Sequence, residues 1–258
     1  MPVDQHPKNT AEETSAKVPA ITFGFWVIKI LATTLGETGG DAVSMSMDLG
    51  YLLATAVFAT LFVAAVTTQI RAARFHAFLY WATIVASTTV GTTLADFATR
   101  SLGIGYAGGS ALLALLLVAC LAAWYRALGT VSVASIRSPR AEAFYWLTIT
   151  FSQTLGTALG DWTADSAGLG YLGAALVFGA LLGMLWMLHL TTRLSKTALF
   201  WAAFVLTRPL GALVGDFLDK PATQGGLELS RYLASAVLFV AIAVLVLVLP
   251  QRAAGRSH

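Results

Sequence analysis

The chain alternates between two kinds of apolar segment. One kind is almost uniformly hydrophobic, and the other carries polar residues spaced four apart within the hydrophobic run. A run of about 20 apolar residues is long enough to cross the hydrocarbon core of a bilayer as an α-helix. The pattern predicts eight such helices, over residues 20–44, 50–70, 77–98, 106–127, 142–163, 170–190, 197–218 and 231–250.

One short motif recurs in four copies along these helices. Each copy has a Trp 15 residues before an Asp, a Gly five residues before that Asp, and a small residue directly before it. A fixed register over four copies is an internal repeat. We therefore predict four helical hairpins, each opening with an aromatic pair typical of an interfacial belt. They cover residues 20–70, 77–127, 142–190 and 197–250, with the pairs Trp26–Asp41, Trp81–Asp96, Trp146–Asp161 and Trp201–Asp216.

The composition agrees with a membrane protein. Hydrophobic residues make up 57% of the chain and charged residues 11%, with a mean hydropathy of +0.74, whereas soluble domains carry about 25% charged residues. The single Cys120 excludes a disulfide framework within the chain. Basic residues are scattered over short loops, so no nucleic-acid partner is predicted. We predict an all-α integral membrane protein whose partner is the lipid bilayer.

The distribution of Lys and Arg predicts the orientation. Eleven of these residues lie in the tails and between repeats, and three lie at the hairpin tips, at Arg100, Lys220 and Arg231. Basic loops favour the cytoplasmic side, so both termini are predicted to be cytoplasmic, in a bacterial inner membrane. The prediction is one transmembrane domain over 19–250, a disordered tail over 1–18 and a second tail over 251–258. Because each repeat has an even number of helices, all four repeats are predicted to have the same orientation in the membrane. They would be related by a pseudo-fourfold axis along the membrane normal.

The first helix of each repeat carries a polar stripe at positions i, i+4 and i+8, which fall on one helix face. Ionisable groups inside a span are costly and normally face the bundle interior. The pseudo-symmetry would bring the four stripes together around the axis. The stripes are Thr33, Glu37 and Asp41; Thr88, Thr92 and Asp96; Gln153, Thr157 and Asp161; and Arg208, Ala212 and Asp216, with Lys29 one turn before Thr33.

The chemistry of the stripes favours a hard cation. Five acids stand against two bases, Lys29 and Arg208, for a balance of −3. Carboxylate and hydroxyl oxygens suit Mg²⁺, Ca²⁺ or Mn²⁺ better than zinc or copper, and clustered carboxylates could also exchange protons. The predicted metal ligands are Glu37, Asp41, Asp96, Asp161 and Asp216, and the predicted lining residues are Lys29, Thr33, Thr88, Thr92, Gln153, Thr157 and Arg208.

Several of these residues also have a purely structural interpretation. Each Asp could cap the next helix, and the threonines could join helices by hydrogen bonds. Arg208 could pair with Glu37 or an Asp, or act on a permeating ion. Lys29 is predicted to extend to the membrane interface, and the Trp residues are predicted to be interfacial anchors.

The segment KILATTLGETGGD, from Lys29 to Asp41, resembles a family of uncharacterised bacterial membrane-anchored proteins with four tandem helical-hairpin repeats. The later segments TTVGTTLAD, TLGTALGD and LTRPLGALVGD carry the same resemblance, which covers residues 17–250. It implies an integral membrane protein, and the functional prediction rests on the residues themselves.

The leading prediction is transport of a cation, in particular a divalent metal such as Mn²⁺. One alternative is a non-transporting scaffold or assembly factor, and another is a channel for protons or monovalent cations. Enzymatic activity is not predicted: the intramembrane aspartyl-protease motif Gly-x-Gly-Asp is absent, since Thr38, Thr93, Ala158 and Leu213 occupy its first position. No covalent cofactor is predicted, and an oligomer remains open.

Overall fold

The computed structural model describes residues 16–254, which fold as an all-helical protein. The helices lie where the hydrophobic pattern predicts them, and the predicted all-α class is confirmed. They are α1 (Phe23–Asp41), α2 (Gly50–Arg71), α3 (Ala77–Asp96), α4 (Tyr106–Leu128), α5 (Pro139–Asp161), α6 (Gly170–Thr191), α7 (Lys196–Asp219) and α8 (Arg231–Val248).

Six of the eight helices are long and apolar enough to cross a membrane, namely α2, α3, α4, α6, α7 and α8. The two others, α1 and α5, are 19 and 23 residues long, and they carry more polar side chains. Most of those polar side chains are buried inside the protein. By their length and composition, these helices therefore support a membrane protein.

Side-chain caps fix the starts of four helices. Thr22, Ser138, Ser195 and Ser230 each accept a hydrogen bond from a backbone N–H in the first turn of α1, α5, α7 and α8. Such caps satisfy amide donors that have no partner within the helix. α5 also has Pro139 in its first turn, where a missing N–H costs nothing.

The first three motif aspartates mark a change in helix geometry. A π-helical turn follows directly after Asp41, Asp96 and Asp161. π-Helical turns are rare and occur frequently at functional sites. The fourth repeat differs, because α7 continues past Asp216 as an α-helix to Asp219.

The first helices of the repeats form a closed ring. α1 packs against α3, α3 against α5, α5 against α7, and α7 against α1. The second helices lie outside this ring, and few of their residues are buried.

The packing corrects one expectation about the hairpins. Each second helix follows its first helix along the chain but packs chiefly against the first helix of the following repeat: α2 on α3, α4 on α5, α6 on α7, and α8 on α1. The four repeats are therefore interlocked, and none of them forms a compact unit by itself.

The motif glycines let the ring helices approach closely. A Cβ atom at any of the four glycines would overlap the first stripe residue of the next helix around the ring. Small residues at helix interfaces permit such contacts in membranes. The contact runs in the same direction each time: Gly36 to Thr88, Gly91 to Gln153, Gly156 to Arg208, and Gly211 to Thr33.

We expect Gly211→Ala to destabilise the protein by about 1–3 kcal/mol, since the added methyl group would collide with Thr33. The matched control is Gly179→Ala in α6, where the methyl group meets nothing within 4 Å. That control should be neutral, or more stable by up to about 1 kcal/mol, because Ala favours the helix. Thermal unfolding of both variants in detergent provides the comparison, and equal midpoints would contradict the close-packed ring.

An aromatic floor, made of the paired aromatic residues at the start of each ring helix, closes the ring at one end. The prediction of an interfacial belt is wrong for most of these residues: Trp81, Trp146 and Trp201 are at most 5% exposed. Their rings contact one another rather than lipid, because the close ring brings them together. The first aromatic of each repeat meets the Trp of the next: Phe25–Trp81 at 5.4 Å, Tyr80–Trp146 at 5.8 Å, Tyr145–Trp201 at 6.2 Å and Phe200–Trp26 at 5.8 Å between centroids.

The chain segments before α1 and after α8 meet at this floor. Pro19 and Ala253 form an isolated antiparallel bridge. Lys17 lies 2.8 Å from Glu142 of α5, and Gln69 donates a hydrogen bond to the Lys17 carbonyl. Residues 1–15 of the predicted disordered tail over 1–18 fall outside the described residues. Residues 16–18 are buried, and Lys17 and Val18 are hydrogen-bonded. In the second predicted tail, residues 251–254 are likewise joined to this segment.

Candidate functional site

The polar stripes of the four ring helices form three tiers inside the ring. By sequence register, the inner tier is nearest the aromatic floor, the middle tier follows one turn later, and the outer tier holds the aspartates. None of the twelve residues is more than 3% exposed, so the stripes face the protein interior. The tiers are Thr33, Thr88, Gln153 and Arg208; Glu37, Thr92, Thr157 and Ala212; and Asp41, Asp96, Asp161 and Asp216.

Arg208 joins all four ring helices at the middle tier. Its Nη2 atom, which carries two hydrogens, lies within hydrogen-bonding distance of three acceptors: Glu37 Oε2 at 3.0 Å, Thr92 Oγ1 at 2.6 Å and Thr157 Oγ1 at 2.5 Å. The small Ala212, one turn further along α7, offers no side chain that would block this reach. Thr92 Oγ1 also lies 3.2 Å from Glu37 Oε2. The predicted pairing of Arg208 with Glu37 is therefore present in the structure.

Not every donor of Arg208 is satisfied. Its Nε and Nη1 atoms are buried and have no hydrogen-bond partner within residues 16–254. A buried guanidinium held through one nitrogen has fewer bonds than its five donors allow. The pair thus retains unused hydrogen-bonding capacity at the centre of the ring.

Two bases that were predicted only as tip residues neutralise part of the outer tier. Lys220 Nζ hydrogen-bonds Asp41 Oδ2 and lies 3.0 Å from Asp216 Oδ1. Arg100 lies 3.0 Å from Asp96 and 3.2 Å from Asp161. Each base comes from the repeat of one Asp and reaches the Asp of the next repeat. The charge pattern of the outer tier is therefore twofold, although the motif itself occurs four times.

The sequence contains a signal for these two bases. Arg100 and Lys220 each follow their motif Asp by four residues, the spacing of a helical ion pair. The corresponding positions in the first and third repeats hold Met45 and Asp165. The predicted charge balance of −3 changes to −1 when the two bases are added.

Three of the five predicted metal ligands converge in one group. Glu37, Asp41 and Asp216 each offer a carboxylate oxygen, and these three atoms lie within 4.8 Å of one another. The Oδ1 atom of Asp41 is buried without a hydrogen bond from the described residues, whereas Asp216 Oδ1 lies 3.0 Å from Lys220 Nζ. Asp96 and Asp161 stand apart from this group and share Arg100 instead. We call Glu37, Asp41 and Asp216 the carboxylate triad.

The fourth tip holds Lys220 in place by an ordered backbone. Its carbonyl accepts a hydrogen bond from Glu228 N at 3.0 Å, and Leu227 N donates to Phe217 O at 2.7 Å. Arg231 pairs with Asp219 at 2.7 Å. Burial alone would lower the pKa of Lys220, but the carboxylates of Asp216, Asp41 and Asp219 raise it above its ordinary value. The side chain therefore stays an ammonium ion.

The prediction that Lys29 extends to the membrane interface is wrong, because its side chain is fully buried. Its Nζ atom lies 4.2 Å from the centre of the Phe204 ring, which attracts a cation electrostatically. Nζ has no hydrogen-bond partner among the described residues.

The inner tier contributes contacts between helices. Thr33 Oγ1 donates within α1 and lies 3.3 Å from the Thr207 carbonyl of α7. Gln153 Nε2 donates to Ser87 Oγ at 3.4 Å. These bonds agree with the structural interpretation of the inner tier, while Thr88 Oγ1 and Gln153 Oε1 have no partner in the described part of the chain.

One family model matches the chain in four places. Its description is Repeat of Unknown Function (DUF347), and it matches residues 24–75, 79–130, 144–194 and 199–251. These four matches coincide with the four repeats that the Trp–Asp motif predicts. No match was found among curated proteins or among solved structures.

Proposed function

The chain belongs to the DUF347 repeat family, and we propose that it transports a divalent metal cation, such as Mn²⁺, along the axis of its helix ring. The carboxylate triad is the observation that carries the proposal. It places one oxygen from each of three buried carboxylates within 4.8 Å of one another, and the Oδ1 atom of Asp41 has no hydrogen bond from the described residues. Mg²⁺, Ca²⁺ and Mn²⁺ take such oxygen ligands.

The charge of the outer tier supports a divalent cation. With every group counted in its ionised form, the four aspartates carry −4, and Arg100 and Lys220 contribute +2, which leaves −2. Glu37 and Arg208 cancel each other at the middle tier. The summed charge of the two tiers is therefore −2, which one divalent cation would neutralise.

The proposal includes the full membrane arrangement. We infer eight spans in four parallel repeats around a pseudo-fourfold axis, with both termini on the cytoplasmic side of a bacterial inner membrane. The glycine contacts and the aromatic contacts support this, because both pass from each repeat to the next in one cyclic direction. Superposing α1, α3, α5 and α7 with their neighbours should bring the four motif aspartates onto one another.

Lys220 has a defined part in the proposed transport. Its ammonium group contacts two members of the carboxylate triad, and an entering metal would displace it. The tip that holds Lys220 would then have to move. The Arg208–Glu37 pair lies next along the axis, and the aromatic floor closes the far end, so the metal leaves only when the floor opens.

Metal flux into liposomes tests the proposed function. We expect Asp41→Asn to lower Mn²⁺ flux about 10–100-fold, the range seen when groups that support a metal site are removed. Asp96→Asn and Asp161→Asn should also reduce flux, since each removes negative charge from the outer tier. The matched control is Asp165→Asn, which removes an exposed acid close to Asp161. Wild-type flux in all three buried variants would contradict metal transport.

The same assay addresses the two alternatives. A panel that includes protons and K⁺ separates a divalent transporter from a channel for protons or monovalent cations. A non-transporting scaffold is favoured by one specific observation: bases of the chain itself bridge all four motif aspartates. A folded protein that moves no cation of the panel would support the scaffold.

A further inference from the structure

A groove of about 900 Å³ runs along the outside of the helix ring. Its walls come from α6, α7, the start of α1 and the segment before α5. The volume lies in the range of about 300–1,000 Å³ that is usual for ligand sites. None of the twelve residues of the three polar tiers lines the groove.

The length of the groove matches one leaflet of a bilayer. Along α7 it extends from Lys196 to Thr207, which is about 16 Å at 1.5 Å per residue. The hydrocarbon core of a membrane is about 30 Å thick. A groove that starts at the end of a span and continues for half of that depth has the length of one lipid tail.

The two ends of the groove differ in chemistry. Lys196 and His189 lie at the end of the span, and the exposed Trp186 ring is 6.0 Å from that of His189. Trp residues are frequent at membrane interfaces. The other end is lined by apolar residues such as Leu182 and Ala203. None of the described residues that line the groove is acidic.

We propose that this groove binds one anionic phospholipid. The phosphate group lies against Lys196 and His189, and an acyl chain follows α7 to Thr207. Basic pockets between transmembrane helices on the cytoplasmic side bind anionic headgroups, and the apolar walls fit the hydrocarbon chain. Thr207 is directly before Arg208, so the lipid tail ends beside the helix turn that carries the central ion pair.

Thermal unfolding of the purified full-length protein in detergent tests this proposal without reference to transport. The probes are phosphatidylglycerol and phosphatidylcholine with identical acyl chains. We expect phosphatidylglycerol at about 100 times its dissociation constant to raise the wild-type Tm by about 5–10 °C. Phosphatidylcholine should raise it clearly less.

Three variants locate the site. Lys196→Gln should remove the preference for phosphatidylglycerol, and Arg71→Gln, at the exposed end of α2, should retain it. Gly183→Phe should remove the response to both lipids, because Gly183 lines the groove and a Cβ atom there meets no neighbouring atom within 4 Å, which leaves room for the ring to fill the groove. The Tm of each variant without lipid shows whether it is folded. Equal shifts with both lipids in the wild type, or a preference retained in Lys196→Gln, would overturn the proposal. So would an unchanged response in folded Gly183→Phe.

Discussion

Arg208→Gln is expected to destabilise the protein by about 3–5 kcal/mol, because it leaves Glu37 buried without its counter-charge. Neither residue is more than 3% exposed, so solvent cannot replace the lost partner. The same substitution also removes the donors to Thr92 and Thr157. One side chain thus holds α7 to all three other ring helices.

A double-mutant cycle separates the ion pair from these other losses. Arg208→Gln combined with Glu37→Gln should be more stable than Arg208→Gln alone, since no uncompensated charge then remains. Denaturation in detergent of the wild type, both single variants and the double variant gives the coupling energy. A coupling energy near zero would mean that the pair adds nothing to stability, and Arg208 would then act on the transported ion alone.

The helices and the repeat were predictable because both depend on local sequence patterns. Hydrophobic runs give the positions of the helices, and the Trp–Asp register gives the four copies. The packing partners were not predictable in this way. α2 packs on α3 rather than on α1, and the hydrophobic face of a helix shows that it is buried but not by which neighbour.

The part of the candidate site that was predictable is the ion pair, because a buried charge needs a partner of opposite sign. Arg208 stands out because the aligned residues Thr33, Thr88 and Gln153 are uncharged, and Glu37 is the only acid one turn deeper than the aspartates. The pairing of Arg208 with Glu37 was predictable because an unpaired charge inside a membrane is costly. The aspartates were correctly placed inside the ring, but their division into two pairs was missed.

The errors concern side chains with both polar and apolar parts. Lys29 and the motif Trp residues could equally reach an interface or pack inside, and the ring of four helices decides between the two. In the sequence, the positions of Arg100 and Lys220 at the hairpin tips indicate only the topology. Their spacing of four residues from an Asp is a local pattern, but it gives no sign that each base also reaches the Asp of the next repeat.

Lys220→Gln is expected to make the stability of the protein depend on metal. Without metal, the variant should lose several kcal/mol, because Asp41 and Asp216 are left buried without a counter-ion. Mn²⁺ at about 100 times its dissociation constant should raise the free energy of unfolding of the variant by about 2.7 kcal/mol. The wild type should respond less, since its own ammonium group competes with the metal for the same oxygens.

Arg100→Gln is the matched control for this prediction. It removes the base between Asp96 and Asp161 and should cost a similar stability without metal. Those two aspartates lack the third converging carboxylate that Glu37 gives to Asp41 and Asp216. Mn²⁺ should therefore restore Lys220→Gln much more than Arg100→Gln, as measured by unfolding in EDTA and in Mn²⁺. If Mn²⁺ restores neither variant, the carboxylate triad is not a metal site, and the bridged aspartates serve to hold the helix ring together.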